Sequence, residues 1–213
     1  MSMFSKGFSK RTRSFIGQGF TNCIVPSFIQ THYLTNPHVY TPYTPYQAEI
    51  SQGRLEMLHN YQTVIQDITT MDIAVASMID NGQVAMDIIT LMKQKTKKHI
   101  IYVQDTINIP LLNCMKTRAK HQNIELRTFT SPNDFDYCDI STVAGIIVQT
   151  PDLYGSINDL SYIEELKERN SKILVACHTN LLYLIGYDPQ TKYGIDFMFG
   201  NGGNMGIGLH YGG

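Results

Sequence analysis

Short apolar runs alternate with amphipathic stretches over most of this chain, and that alternation limits its possible folds more than any other feature. The runs are five to seven residues long and rich in β-branched and aromatic side chains, and they are bounded by polar or turn residues, as buried strands are. We predict strands at 99–103, 124–129, 143–149, 172–177 and 194–199. A similar short run at 72–77 is a candidate for a further strand.

Helical patterns separate these runs. Leu58, Tyr61, Ile65 and Ile68 recur at intervals of three and four residues, which predicts an amphipathic helix over 51–69. Further helices are predicted over 82–96, 110–122 and 158–169. Helices that alternate with buried strands favour an α/β fold with a mostly parallel sheet between helices.

The first fifty residues have a different character. The stretch "YTPYTPYQ" at 40–47 excludes a regular helix or an interior strand, because each proline lacks an N–H and restrains the residue before it. We predict that residues 1–50 form an extended N-terminal arm and a Pro/Tyr-rich segment packed on a single domain, 51–213.

Composition excludes several classes of protein. The 213 residues are 43% hydrophobic, which is enough for a core, and the net charge of −1 indicates neither a nucleic-acid nor a membrane partner. The four cysteines form no CxxC pair, so a reducing compartment without a metal site is expected. No apolar run approaches the roughly 20 residues that span a bilayer. A cytoplasmic location is therefore the first expectation.

The N-terminus allows a second location. Residues 1–48 contain no Asp or Glu, whereas Lys6, Lys10, Arg11 and Arg13 are basic. An acid-free, Arg-bearing start is typical of mitochondrial targeting segments, and it is also compatible with a loose arm.

One long stretch carries a resemblance to a known family. "YTPYTPYQAEISQGRLEMLHNYQTVIQDITTMDIAVASMID", residues 40–80, resembles the P-protein of the glycine cleavage system, a pyridoxal-phosphate-dependent glycine decarboxylase. "RSFIGQGF" at 13–20, "VQTPDLYGSINDL" at 148–160 and "GIDFMFGNGGNMGIGLHYGG" at 194–213 are also similar to that family. The residues that match the family motif most closely are Tyr43, Thr44, Tyr46, Gln47, Glu49, Ser51, Gln52 and Arg54.

The resemblance implies a fold and a place within the family. It covers the chain from about residue 13 to the end and maps to the first, noncatalytic half of the P-protein, or to the separate first subunit where the family is split. It implies the large domain of a fold-type I pyridoxal-phosphate enzyme, with a seven-stranded, mostly parallel sheet. In the family the glycine-rich tail is followed by a long further chain, so a truncated form of that domain is expected.

The resemblance also places the cofactor chemistry. Pyridoxal phosphate needs a lysine for its Schiff base, a carboxylate near its pyridine nitrogen and donors for its phosphate. Asn204 corresponds to the lysine of the catalytic half, and His178 lies near the position of the pyridine-side carboxylate.

Two small groups of residues remain candidates for a ligand site. Ser77, Asn81, Gly82 and Gln83, at the head of a predicted helix, are either an anion site or an ordinary capped turn. His178 follows a buried strand, where α/β proteins place ligands, or it is a structural histidine. No metal-binding spacing is present among the histidines and acids.

These residues leave three functional hypotheses. The first is a P-protein-like domain without activity of its own that acts through protein association, as a homodimer or with a P-protein-like partner, with no covalently bound cofactor. The second is the noncatalytic subunit of a glycine-decarboxylating enzyme that a separate lysine-bearing half completes. The third is a module that binds pyridoxal phosphate or a nucleotide noncovalently.

The retained motif has two interpretations. It organises an interface or lines a site, or its loop and a Glu49–Arg54 pair only hold the domain together.

Overall fold

The computed structural model describes residues 15–17, 23–187 and 190–206. The basic residues Lys6, Lys10, Arg11 and Arg13 and the last seven residues of the glycine-rich tail lie outside these ranges. The strands are β1 (Ile100–Gln104), β2 (Glu125–Phe129), β3 (Val143–Gln149), β4 (Leu174–His178) and β5 (Phe197–Phe199). The α-helices of the described residues are α1 (Ser27–Ile29), α2 (Gln52–Thr69), α3 (Asn81–Thr96), α4 (Ile109–Ala119), α5 (Tyr162–Arg169) and α6 (Leu181–Gly186).

The strands form one parallel sheet in the order β2-β1-β3-β4-β5. All five strands predicted from apolar runs are present, and the prediction of an α/β fold is confirmed. The family resemblance implies seven strands, of which the described residues form five.

Two apolar clusters cover the two faces of the sheet. Ile147 of β3 packs in the cluster that includes α3 and α4, whereas Ile146 and Val148 pack in the cluster that includes α5. All seven residues of β3 are buried, because a central strand of a covered parallel sheet has no solvent-facing side.

The predicted strand at 72–77 is wrong. This segment is irregular and lies along α2, where Gln62 Nε2 donates to the carbonyl of Ala74 and Gln66 Nε2 donates to that of Asp72, both at 2.6 Å. The helix side chains thus satisfy backbone carbonyls that a neighbouring strand would otherwise bind.

The last predicted strand is shorter than 194–199. Gly194 has a φ of +81°, and Asp196 Oδ2 accepts the N–H of Val175 at 2.7 Å and pairs with Lys167 at 2.8 Å. Because Asp196 is held by these contacts, the ladder with β4 begins only at Phe197.

The N-terminal arm is not extended throughout. Residues Ser27–Ile29 are α-helical and Gln30–Leu34 continue as a π-helical turn. Pro26 precedes the first helical residue, where a missing N–H costs no helical hydrogen bond. The Pro/Tyr-rich stretch at 40–47 has no regular structure, as its prolines predict.

One helix begins later than predicted, and one short helix was not predicted. The helix predicted from 158 begins at Tyr162, because Asp159 first binds Ser161: its Oδ1 accepts the Ser161 N–H and its Oδ2 accepts the Ser161 hydroxyl, both at 2.9 Å. The short helix α6 was not predicted, since six residues are too few to establish a helical period. Asn180 caps it by accepting the N–H of Leu182 at 2.9 Å.

Gly145 of β3 lies where the sheet packs closely against α3. A Cβ at this position would meet the Sδ of Met92 on α3 and would lie 2.7 Å from the carbonyl of Leu174 on β4. We expect Gly145→Ala to lower the free energy of unfolding by about 2 kcal/mol, measured by urea denaturation.

Gly53 provides the matched control. A Cβ there meets nothing within 4 Å, and the residue lies in α2. Gly53→Ala should raise the free energy of unfolding by up to about 0.5 kcal/mol, because alanine loses less backbone entropy. Equal effects of the two substitutions would contradict the packing described for Gly145.

Candidate functional site

The strand order places a switch point between β1 and β3, where ligands of open α/β sheets commonly bind at the carboxyl ends of the strands. In this chain polar side chains of its own bridge that position. Gln104 Oε1 accepts the N–H of Gln149, and Gln149 Oε1 accepts the N–H of Asn108, both at 2.9 Å. The N–H of Leu153 also donates to the carbonyl of Thr106 at 2.8 Å. The crevice between the two strand ends is therefore closed.

Gln149 also fixes the tautomer of His178. Its Oε1 accepts the Asn108 N–H and its Nε2 donates to the Pro151 carbonyl at 3.0 Å, so the orientation of the amide is defined. The Nδ1 of His178, 3.0 Å from that same Oε1, must therefore carry the proton. In the neutral ring Nε2 is then an acceptor, and it lies 3.4 Å from Nδ2 of Asn81.

His178 is neutral in this setting. Burial lowers its pKa to about 4, because the charged imidazolium would lose its hydration. Its ring packs against Phe199 with centroids 5.1 Å apart. A neutral imidazole cannot supply the fixed negative charge that a pyridinium needs, so these contacts favour the structural interpretation of His178.

The N-terminus of α3 already holds an anion of the chain itself. Asp80 Oδ1 accepts the N–H of Gln83 at 2.6 Å, as an N-cap does. The side chain of Gln83 is engaged as well, since its Nε2 donates to Asp87 at 2.8 Å and its Oε1 accepts from Arg118 at 2.6 Å. These contacts favour a capped turn over an anion site.

The candidate residues at this helix separate into two groups. Asn81 meets His178, and the exposed Ser77 lines a cavity together with Asn81. Gly82 faces α4, where a Cβ would lie 2.7 Å from the Sγ of Cys114. Gly82 therefore allows α3 and α4 to approach closely, which is a packing role.

A cavity of about 640 Å³ lies beside the head of α3. Its walls are α2, the irregular segment 71–80, α3 and the residues around β5, and most of its lining side chains are apolar. The acidic side chains that line it are Asp72, Asp80, Asp87 and Asp196. No Lys, Arg or His is present among the described residues of its lining.

These residues do not fit a phosphate-bearing cofactor. A phosphate needs backbone or cationic donors, and here a carboxylate occupies the cap of α3 and carboxylates line the cavity. Asn204, which corresponds by resemblance to the Schiff-base lysine, lies in the turn Gly203–Met205 after β5, and an amide forms no Schiff base. Among the described residues, no group of three His, Cys, Asp or Glu side chains is placed to hold a metal ion.

The Pro/Tyr motif is organised by Arg54. Its Nη1 donates to the Tyr43 carbonyl, its Nη2 donates to Ser51 Oγ at 3.1 Å, and its guanidinium lies 5.9 Å from the centroid of the Tyr43 ring. Tyr43 itself donates its hydroxyl to Gln47 Oε1 at 2.6 Å. The predicted Glu49–Arg54 ion pair is wrong, because Arg54 turns towards the tyrosine loop and leaves Glu49 exposed. The motif residues Thr44, Tyr46 and Gln52 are exposed too.

Sequence reasoning missed Gln104, Asn108 and Gln149. A signal was present, because β1 and β3 both end in glutamine and adjacent parallel strands bring their carboxyl ends to the same edge. Buried glutamines at such ends need partners: the Gln104 side chain accepts the Gln149 N–H, whereas the Gln149 side chain binds Asn108 and Pro151.

The fold places this chain in a known structural class. A crystal structure of glycine decarboxylase (P-protein) of the glycine cleavage system, in inhibitor-bound form, superposes with a TM-score of 0.83 at 26% identity, covering 94% of this chain and 46% of that one. SspA in complex with cysteine shares the fold at a TM-score of 0.67 and 11% identity, over 89% of this chain and 57% of that one. The fold is that of the large domain of fold-type I pyridoxal-phosphate enzymes.

The chain belongs to the glycine cleavage system P-protein family, whose sequence model matches residues 5–213. Glycine dehydrogenase (decarboxylating), mitochondrial, of Homo sapiens is 37% identical over 201 residues, and glycine dehydrogenase (decarboxylating) of Psychromonas ingrahamii is 39% identical over 203 residues. The matches cover 94% of this chain but 19% and 20% of those proteins. The chain thus spans about a fifth of the length of the curated relatives it matches.

The depressed pKa of His178 predicts a pH-dependent stability. Above pH 6.5 the histidine is neutral in the folded and unfolded states, and its contribution does not change. Between pH 6.5 and about 4 the unfolded chain binds a proton that the folded chain excludes, so the free energy of unfolding falls. We expect a loss of up to about 3 kcal/mol from this group across that window, measured by urea denaturation.

Two variants isolate this effect. His178→Gln cannot titrate and should lose most of the pH dependence between 6.5 and 4, whereas His121→Gln, at an exposed position, should keep it. Parallel pH profiles for the parent chain and His178→Gln would contradict the assignment of a neutral, buried ring.

Proposed function

We propose that this chain is a noncatalytic P-protein domain that acts by binding another protein chain. The observation that carries the proposal is an apolar surface formed by the segment 73–79. Ile73, Val75 and Ile79 are 82%, 66% and 71% exposed. Contiguous exposed apolar side chains mark interaction sites, because their contact with water is unfavourable.

This surface is held in place by hydrogen bonds. Gln62 and Gln66 of α2 bind the carbonyls of Ala74 and Asp72, so the segment lies against the helix with its large apolar side chains outward. A preformed apolar surface loses little conformational entropy on binding, which supports an association role.

The Pro/Tyr motif supplies a second contact region beside the first turn of α2. Arg54 fixes the loop through Tyr43, while the side chain of Tyr46 is 89% exposed. A tyrosine offers a rigid apolar ring with a polar tip, which suits protein interfaces.

The partner we propose is a second copy of this chain or a P-protein-like chain. The curated relatives are about five times as long as the matched stretch, so they contain further chain that can cover the corresponding surface.

A second candidate function is that of a noncatalytic subunit in a glycine-decarboxylating enzyme. The preserved Tyr43–Arg54 motif and the structural likeness to an inhibitor-bound P-protein favour it. A lysine-bearing chain would then supply the Schiff base that Asn204 cannot.

The discriminating experiment is to mix this chain with a lysine-bearing P-protein chain that lacks activity alone and to follow exchange of the glycine carboxyl group with bicarbonate. Recovered exchange supports the subunit, and association without exchange supports the noncatalytic domain.

The association role makes a direct prediction for the apolar surface. Multi-angle light scattering at micromolar concentration should give about twice the mass of one chain for the parent protein, or a complex with an added P-protein. The double substitution Ile73→Lys and Val75→Lys should abolish that association, because it places two charges in the proposed contact.

Tyr137 offers a matched control for the same measurement. It is 93% exposed and lies in a turn next to the α5 cluster, away from α2. Tyr137→Lys should leave association unchanged. A parent chain that stays monomeric and binds no P-protein would contradict the proposal.

A further inference from the structure

The cavity beside α3 has the size and walls of a small-molecule site. Its volume of about 640 Å³ lies within the range of ligand pockets, roughly 300–1,000 Å³. Ile65 of α2, Val84 of α3 and Phe197 of β5 contribute apolar wall. A bound molecule would therefore need an apolar body to replace water against these side chains.

The charged side chains among the described residues of the cavity lining are all negative. Asp196 is paired with Lys167 at 2.8 Å, but those described residues include no basic side chain for the other three acids. Within the described residues, Asp80 accepts a hydrogen bond through Oδ1 only, from the N–H of Gln83. Asp87 likewise accepts through Oδ1 only, from Nε2 of Gln83. The second oxygen of each carboxylate remains for a ligand.

Two positive influences near the head of α3 are already engaged. The N-terminus of α3 attracts anions, and Asp80 satisfies it from within the chain. Arg118 approaches from α4, where it donates to Gln83 Oε1, and it is not part of the cavity lining. The charge that a ligand meets in the cavity is therefore negative.

We propose that this cavity binds an organic cation with an apolar body, such as a primary arylalkyl amine. The ammonium group lies near Asp80 and Asp87, and the apolar body contacts the walls that include Tyr61 and Phe197. Asp87 is only partly exposed, so water screens its charge less than that of a fully exposed carboxylate, and Asp80 adds a second, more exposed negative charge. The cavity shares Ile73 and Val75 with the apolar association surface, but this proposal rests on the volume and charge of the cavity and not on association.

The test uses three small probes that differ mainly in charge. Phenethylamine is a cation, phenethyl alcohol is its neutral counterpart and phenylacetate is an anion of similar size. Binding to the parent chain is followed by ¹H–¹⁵N NMR titration at pH 7 and low ionic strength. We expect phenethylamine to bind at least about tenfold more tightly than phenylacetate, with the alcohol between them, and to shift amide resonances of residues 71–84.

Two variants locate the charge selectivity. In the double substitution Asp80→Asn and Asp87→Asn, each asparagine keeps the Oδ1 acceptor, so the cap of α3 and the bond to Gln83 are retained. This variant should lose most of the preference for the amine while its affinity for the alcohol stays the same. Glu168→Gln removes an exposed acid of α5 and should leave all three affinities unchanged. Circular dichroism melting verifies that each variant is folded.

Several outcomes would overturn the proposal. They are no saturable binding of the amine, equal binding of amine and carboxylate, tighter binding of the carboxylate, or an amine preference that survives in the folded double variant. Should the double variant fail to fold, the two single substitutions and the probe series on the parent chain decide the question.

Discussion

The arrangement of the strand ends depends on the side-chain amide of Gln149. This one group accepts the Asn108 N–H, donates to the Pro151 carbonyl and accepts from His178 Nδ1. It thereby connects β3 with β4 and with the loop after β1. It also sets the neutral tautomer of His178, whose Nε2 faces Asn81 at the head of α3. Because the chain fills this crevice with its own polar groups, the space left for a ligand lies between α2 and α3.

Family membership and local chemistry lead to different expectations for this chain. Membership in the P-protein family accounts for the sheet, its order and the helices that cover it. The local residues decide what such a domain can bind. Asp80 at the cap of α3 and a neutral His178 each remove one feature that a pyridoxal-phosphate site uses, and Asn204 stands where the resemblance places the lysine. The acid-lined cavity and the exposed apolar segment at 73–79 are what the domain offers instead.

The sequence predicted the fold well where the spacing of apolar residues indicates which positions are buried. The strands and the helices α2, α3 and α4 follow from apolar runs and from three-to-four-residue spacing, which depend on local pattern alone. The errors lie where a distant side chain decides the local structure. Segment 72–77 has the composition of a strand, but glutamines of α2 bind its carbonyls. One interpretation of the retained motif included a Glu49–Arg54 pair, whereas Arg54 binds the backbone of Tyr43. The contacts of Gln104 and Gln149 depend on the register of β1 against β3, which no local pattern contains.

The central claim is that this chain is a P-protein domain without a cofactor site of its own, and a pyridoxal phosphate titration tests it most directly. The purified chain is titrated with the cofactor while absorbance and fluorescence are recorded, and then it is treated with borohydride and analysed by mass spectrometry. We predict no saturable spectral change and no site-specific lysine adduct. Saturable binding with a single trapped lysine, or decarboxylation of glycine by the chain alone, would contradict the account.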